Sequence, residues 1–184
     1  MEYKIHIDSR KYDTFTYYTM NEFIKINLNI NPFENKLFNN DVFIINNKNN
    51  CEIIHSTIRQ NTLLPGVIIL KNNKTFGKHT NNKLLYKSIP DDNRIPTFLI
   101  PYEIKTIGFS KIHINKYALI LYDNWNNKHP VGILNQVIGN VDELNNFYEY
   151  QLYCKSLHNS IQQFTKDTSK SLKIKSQNAF FENI

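Results

Sequence analysis

The 184-residue chain has few glycines and few cysteines, and each shortage excludes a class of site. Its 5 glycines leave little material for the glycine-rich loops that bind the phosphates of dinucleotides or nucleoside triphosphates. The two cysteines, Cys51 and Cys154, lie far apart, and neither belongs to a C-x-x-C pair, so we expect simple thiols in a reducing compartment. The histidines are scattered rather than placed at ligand spacing, so the sequence predicts no metal site and no cofactor.

Long apolar runs are missing as well. Residues 1–6 do not resemble a signal peptide, and no stretch approaches the length of a membrane span, so we expect no membrane partner. Alanine is scarce, whereas Asn, Ile, Lys, Tyr and Phe are plentiful, which is the bias that AT-rich codons produce. That bias indicates a giant DNA virus or an AT-rich protist. We therefore expect a soluble protein of the cytoplasm, or of a virion if the source is viral.

The overall amino-acid composition and charge favour a folded, basic protein. Apolar residues make up 41% of the chain and aromatic residues 13%, which is enough to build a core in one large or two small domains. The net charge is +6 and the pI is about 9.2. An excess of positive charge favours polyanionic partners through steering and counterion release.

Short alternating runs dominate the first 139 residues. In residues 23–30 the even positions are apolar, a period of two that is typical of a half-buried strand. Asn-Asn dipeptides lie between such runs and predict turns, so the pattern favours small barrels. Beyond Gly139, apolar residues recur every three to five positions and predict one amphipathic helix from about 142 to 164. The Lys- and Ser-rich tail at 165–184 is predicted to be flexible.

Three segments resemble one known family. Residues 89–101, in which two prolines bracket an Asp-Asp-Asn-Arg turn before a strand, resemble the second cold-shock domain of the ribonuclease II, ribonuclease R and exosome exonuclease family. Trp125, the Pro-x-Gly of residues 130–132 and the turn at 139–143 follow in the order seen at the end of that domain. Residues 38–45 resemble the aromatic-x-Gly-Asp-Val segment of the first cold-shock domain, with Asn where the family commonly has Gly. Since Asn tolerates left-handed backbone, we expect that turn to be kept.

The resemblance covers roughly residues 20–164 and implies a fold. The prediction is a mainly β protein of two small OB barrels of the cold-shock type, closed by one C-terminal amphipathic helix, with an incomplete first barrel as an open alternative. The corresponding domains are residues 1–62 and 63–164, followed by the tail at 165–184.

The same resemblance leaves catalysis doubtful. In the family, a separate nuclease domain holds Mg²⁺ with clustered aspartates, and the similarity stops where that domain would begin. Asp91 and Asp92 sit in a turn and lack further acids nearby, so we interpret them as structural. No nucleophile elbow and no His-Glu-x-x-His motif occurs. The chain thus resembles the RNA-guiding part of an exoribonuclease without its nuclease site, and we lean against an enzyme.

Two stretches combine cations, which follow a nucleic-acid backbone, with aromatic rings, which stack on bases. We predict RNA contacts from the first stretch at Lys71, Lys74, Phe76, Lys78, Lys83, Tyr86, Lys87 and Arg94. The second stretch contributes Arg10, Lys11 and Tyr12. The alternative interpretation is that strands need aromatics on their inner faces and lysines on their edges. Arg94 could instead clamp Asp91 or Asp92, which we favour. Trp125 is expected to be a core or turn anchor, and His129 is expected to fix its loop by a hydrogen bond.

The predicted function is single-stranded RNA binding. The expected partners are single-stranded RNA and either a separate nuclease domain or viral proteins. The alternative is a structural or protein-interaction component, for instance of a virion, that kept the fold but not RNA binding. That alternative predicts aromatics turned inward and an exposed apolar patch. A third hypothesis, an enzyme with its acids in unfamiliar order, would show itself by Mg²⁺-dependent shortening of RNA.

Overall fold

The structure, a computed structural model, describes residues 1–46, 50–104, 113–157 and 168–170. Within these residues the chain is mainly β. It divides into two compact units, Met1–Tyr150 and Gln151–Ile184. The first unit contains two sheets and most of one α-helix, α1 (Leu144–Cys154). The second contains the end of that helix and a helical turn at 168–170.

The first sheet is antiparallel and has the strand order β3-β2-β1-β4-β5. Its strands are β1 (Glu2–Ile7), β2 (Phe15–Thr19), β3 (Lys25–Ile26), β4 (Val42–Ile45) and β5 (Cys51–His55). Alternate residues point inward, so that Ile5, Ile7 and Phe43 are fully buried, as period-two patterning requires. The left-handed turn predicted before β4 is confirmed, because Asn40 has a φ of 66°.

The second sheet is a closed barrel with the order β10-β8-β7-β6-β9. Its strands are β6 (Leu64–Ile68), β7 (Leu84–Pro90), β8 (Phe98–Tyr102), β9 (Lys116–Asn124) and β10 (Val131–Asn140). A parallel contact between Val131 and Leu99 joins β10 to β8 and closes the ring. This is the strand order of an OB-like barrel. The predicted fold class is confirmed: the protein is mainly β, with a closed five-stranded barrel and one α-helix in the described residues.

Both sheets contribute to one hydrophobic core. Phe38, which precedes β4, stacks on Phe98 of β8 with ring centroids 6.0 Å apart and lies 4.8 Å from the ring of Trp125. Trp125 is buried there, so its predicted place in the core is confirmed. Burial of each such side chain contributes about 1.5–3 kcal/mol. The predicted boundary at 62 and 63 falls between β5 and β6, and the division into two domains stays a prediction.

Two predicted elements are shorter in the structure. Helix α1 ends at Cys154, because Ser156 adopts a φ of 55° and the Leu157 N–H donates to the Leu152 carbonyl (2.8 Å), which is a Schellman cap. The predicted end at 164 is therefore wrong, and residues 158–164 lie outside the described part. Of the strand predicted at 23–30, only Lys25–Ile26 pairs, and the Tyr17 hydroxyl holds the Ile30 carbonyl instead (2.8 Å). Of the predicted flexible tail, only 168–170 is described.

Candidate nucleic-acid interface

The first half of the barrel is formed by sequence that contains no acidic residue. No Asp or Glu occurs between residues 53 and 90, whereas that stretch carries Arg59, Lys71, Lys74, Lys78, Lys83 and Lys87. Arg59 pairs with Asp41, but the five lysines have no acidic neighbour within this stretch and produce a positive local field. The segment includes the β6–β7 loop and strand β7, which correspond to the loop and strand with which OB barrels bind oligonucleotides.

The β6–β7 loop is fixed against the strand that follows it. The Phe76 N–H donates to the Leu85 carbonyl (2.9 Å), and the Leu85 N–H donates to the Gly77 carbonyl (2.9 Å). Gly77 has a φ of 101°, a conformation that favours glycine. At the start of the loop, the Asn115 side-chain oxygen accepts hydrogen bonds from the Leu70 and Lys71 N–H groups (2.9 and 3.0 Å). Phe76 is therefore held beside β7 rather than displayed on a free loop.

Two ammonium groups lie near the ring of Phe76. The Lys87 Nζ is 4.8 Å from the centre of its ring, and the Lys74 Nζ is 5.7 Å away. Each contact of this type contributes about 0.5–1 kcal/mol at an exposed site. The ring remains partly exposed, so one aromatic surface and two cations are presented together. That combination is what single-strand binding sites use.

The β9–β10 loop completes this surface. Burial, together with the positive charges of Lys87 and Lys128, lowers the pKa of His129 below its ordinary value, so the ring is neutral at pH 7. His129 lies half-buried near the Thr97 backbone, and the prediction that it fixes its loop by a hydrogen bond stays a prediction. We call this surface the barrel face and define it as Lys74, Phe76, Lys87, Lys128 and His129.

Apart from Arg94, the structure separates the predicted residues of the first stretch into three groups. Lys74, Phe76 and Lys87 meet in the barrel face, and Lys71, Lys78 and Lys83 are exposed on the same loop. Tyr86 is only 2% exposed, and its hydroxyl donates to the Asn73 side-chain oxygen (3.0 Å). Its predicted role as a stacking residue is corrected to that of a core residue. The reason is the alternation of β7, which turns Tyr86 inward where Lys87 faces outward.

The second predicted stretch does not form an aromatic site. Tyr12 is 7% exposed, and its hydroxyl donates to the Leu37 carbonyl (2.8 Å), so it too is corrected to a core residue. Burial raises the pKa of this hydroxyl. Arg10 donates to the Pro90 carbonyl (3.0 Å) at the end of β7, whereas Lys11 is exposed. Arg10 therefore contacts the β7–β8 turn rather than the barrel face.

Arg94 forms the clamp that the sequence favoured. Its Nε and Nη2 atoms lie 2.9 and 2.8 Å from the two carboxylate oxygens of Asp92. Hydrogen bonding from Arg94 lowers the pKa of Asp92. The arginine side chain is still 42% exposed, but because its guanidinium is bonded to Asp92, its main role is structural. The Tyr150 hydroxyl, 3.2 Å from an Asp91 carboxylate oxygen, adds a contact from α1 to the same turn.

One buried ion pair was missed by the sequence reasoning. The Arg59 Nη1 atom donates to the Asp41 carboxylate (2.7 Å), and its Nη2 atom donates to the Lys36 carbonyl (2.6 Å). The guanidinium also lies 4.7 Å from the ring centre of Phe38 and 5.2 Å from that of Tyr122. Burial raises the pKa of Asp41, while hydrogen bonds from its neighbours, including Arg59, oppose that shift. Asp41 and Arg59 are 18 residues apart with no motif between them, so no local signal identified the pair.

The described residues contain no group of three or more His, Cys, Asp or Glu side chains arranged to hold a metal ion. In the same residues no helix is both long and apolar enough to cross a membrane. No protein-family model matches the chain, and a search of curated proteins finds no match.

Proposed function

We propose that the protein binds single-stranded RNA along the barrel face, as a non-catalytic counterpart of the RNA-guiding cold-shock domains of ribonuclease II-like exoribonucleases. The observation that supports this most directly is the proximity of the Lys74 and Lys87 ammonium groups to the ring of Phe76, on the loop and strand that OB barrels use for binding. The absence of acids from residues 53–90 supports the same conclusion, because carboxylates there would repel phosphates.

The barrel face supplies two separable contributions to such binding. A base stacked on Phe76 contributes about 1–3 kcal/mol and requires an unpaired, accessible base, so single strands are preferred over duplexes. Lys74, Lys87 and Lys128 supply phosphate contacts. With about 0.7 counterions released per contact on a single strand, three contacts predict a slope near −2 in a plot of log affinity against log salt.

The test is fluorescence anisotropy of a labelled RNA of about 12 nucleotides, titrated with the full chain at several salt concentrations. Phe76→Ala is expected to weaken binding by about tenfold or more, with little change in the salt slope, since it removes stacking alone. Lys87→Met is expected to reduce the magnitude of the slope by about 0.7. Lys25→Met is the matched control, because Lys25 is an exposed lysine of the first sheet. Failure to bind at low salt, or equal losses in both lysine variants, would contradict the proposal.

Cutting, in this proposal, belongs to a separate nuclease domain or protein to which the chain presents RNA. The full chain incubated with Mg²⁺ and a 5′-labelled RNA is expected to leave its length unchanged on a sequencing gel. Progressive shortening that survives repurification of the protein would overturn this part of the proposal and revive the enzyme hypothesis.

A protein-interaction role is the second candidate, and one observation favours it. On α1, Leu144 is 62% exposed and Tyr148 is 58% exposed, one turn apart on the same side of the helix. The neighbouring side packs inward, where Tyr150 stacks on Tyr117 at 4.3 Å. Light scattering coupled to size exclusion would show a mass above 21.8 kDa that Leu144→Lys returns to the monomer value. A monomer at all concentrations, with RNA binding intact, would remove this candidate.

A further inference from the structure

The β6–β7 loop forms one wall of a cavity that neither the barrel face nor the core accounts for. The cavity has a volume of about 540 Å³ and opens beside the start of β7 and the end of β8. Its polar and aromatic lining includes Asn73, Asn81, Asn82, Lys83, Tyr86, Tyr102 and Glu103. One carboxylate therefore accompanies the one ammonium group, and a ligand must offer the carboxylate a donor such as a base amine. A volume of this size lies within the range of pockets that bind small organic ligands.

The wall is preformed by a tight turn. The Asn82 N–H donates to the His79 carbonyl (2.9 Å), and the His79 N–H donates to the Lys83 carbonyl (2.9 Å). The Asn81 side-chain oxygen accepts from the Lys83 N–H (3.1 Å), and Asn82 adopts a φ of 62°. The Asn81 side chain and the backbone of the turn are therefore held in place, so little ordering of the turn is needed when a ligand binds.

The chemistry of the lining narrows the class of ligand. Asparagine amides offer a donor and an acceptor each, and a purely apolar ligand would leave these groups unpaired, at a cost of about 1–3 kcal/mol per buried group. The rings of Tyr86 and Tyr102 stand edge to face, 6.3 Å apart, beside those amides. Lys83 adds a positive charge from the acid-free stretch. Planar heterocycles with mixed donor and acceptor edges, attached to a phosphate, match all three features.

We propose that this cavity takes one unstacked nucleobase of the bound RNA, with Lys83 at its phosphate. The inference rests on the proposed function and deepens it. Phe76 and Lys83 lie on the same loop, so a strand that stacks one base on Phe76 and crosses the loop reaches the cavity with a following base. The base edge meets the Asn81 and Asn82 amides, and Tyr102 contacts its ring.

The test uses the full chain labelled with ¹⁵N and each of the four nucleoside 5′-monophosphates as the probe. Saturable shifts are expected at the amides of residues 81–83 and 102, with at least one nucleotide binding more tightly than the others. Lys83→Met is expected to weaken that binding about tenfold, as the loss of a charged hydrogen bond does. Lys78→Met is the matched control, because Lys78 is an exposed lysine of the same loop outside the cavity lining.

The outcomes separate this inference from the function on which it rests. If no monophosphate shifts the cavity residues, or if Lys78→Met weakens binding as much as Lys83→Met does, the cavity is not a base site. Should the oligonucleotide still bind and still depend on Phe76, only the cavity inference fails. If neither the monophosphates nor the oligonucleotide bind, both fail together.

Discussion

The two sheets of this protein have the same order of strands along the chain, yet only one of them closes. In each, the first strand lies between the second and the fourth, and the third and fifth follow at the outside. In the barrel these outer strands meet, at Val131 and Leu99. In the first sheet the outer strands are β3, with two residues, and β5, and the described residues contain no pairing between them. Its inner face is covered instead by the core it shares with the barrel.

Glycine explains part of the difference. All 5 glycines of the chain lie at or beyond residue 66, so the first sheet and its loops contain none. At Gly66 a Cβ atom would lie 2.8 Å from the Ile89 carbonyl oxygen, and at Gly132 it would lie 2.8 Å from the Leu121 carbonyl oxygen. Strands that curl into a small barrel bring backbones this close, which a side chain prevents. The comparison indicates that closure depends on a few such positions and on a full-length third strand.

The largest expected loss of stability comes from a substitution in the core that the two sheets share. Arg59→Met removes the cation that pairs with Asp41, a fully buried carboxylate, and is expected to cost about 3 kcal/mol of unfolding free energy. Urea unfolding, followed by the fluorescence of Trp125 in the same core, measures the loss. Adding Asp41→Asn should recover part of it, because the unpaired charge is then gone. Arg10→Met serves as control, and a cost no larger than that of the control would contradict the role of the pair.

The next prediction breaks the barrel alone. Gly66→Ala places a methyl group against the backbone of Ile89 and Pro90, which cannot move without opening the β6–β7 pair. Overpacking of this kind is expected to cost about 2 kcal/mol. Hydrogen exchange measured residue by residue should show faster exchange in β6, β7 and β9, with β1 and β2 changed less. Uniform acceleration in both sheets would mean that they unfold as one unit and that closure is not a local property.

Much of the fold could be predicted from local patterns. Period-two alternation and Asn-rich turns predicted short strands, and left-handed backbone at Asn40 followed from the tolerance of Asn for that conformation. Lys74, Phe76 and Lys87 of the barrel face were singled out because cations and aromatic residues occur together along one loop and the strand that follows it, whereas Lys128, on a different loop, was not predicted. The inward direction of Tyr86 was also readable, since it precedes an outward lysine on a strand.

Other features depend on distant partners and had no local signal. Tyr12 is buried because it meets the Leu37 carbonyl and the ring of Trp125, 25 and 113 positions away. Helix α1 ends at Cys154 and is capped by the left-handed conformation of Ser156, where the sequence offers neither glycine nor proline and where the apolar spacing continues. Beyond Ile26 the predicted strand does not pair, and the Ile30 carbonyl accepts a hydrogen bond from the Tyr17 hydroxyl, 13 positions away, a contact that the alternating pattern does not reveal.

A smaller loss of stability, at Tyr12, distinguishes residues of the core from residues of the binding surface. Tyr12→Phe removes a buried hydroxyl and leaves the Leu37 carbonyl without that donor, at an expected cost of about 1 kcal/mol in stability. RNA affinity should not change, since Tyr12 lies outside the barrel face. Phe76→Ala should show the reverse, with affinity lost and the urea midpoint nearly unchanged, because its ring is partly exposed. A Tyr12→Phe protein that folds normally but binds RNA less tightly would place the binding site in the first sheet instead.

The smallest expected loss of stability concerns the turn between the second and third strands of each sheet. In the barrel this turn carries the Asp92–Arg94 pair, whereas its counterpart at residues 20–24 of the first sheet forms no ion pair with any residue in the described ranges. Because the pKa of Asp92 is lowered in the folded protein, the pair stabilises the fold above the ordinary value of 3.8, and this contribution disappears as the pH falls through the lowered pKa. Asp92→Asn is expected to cost about 0.5 kcal/mol at pH 7, a small value because both side chains are partly exposed. Urea midpoints measured from neutral to acidic pH should converge with those of the native chain at the acidic end. Glu22→Gln, in the counterpart turn, is the control, and its urea midpoint is not expected to converge with that of the native chain in this way. If the difference in midpoint between Asp92→Asn and the native chain persists at low pH, the effect belongs to the turn backbone rather than to the ion pair.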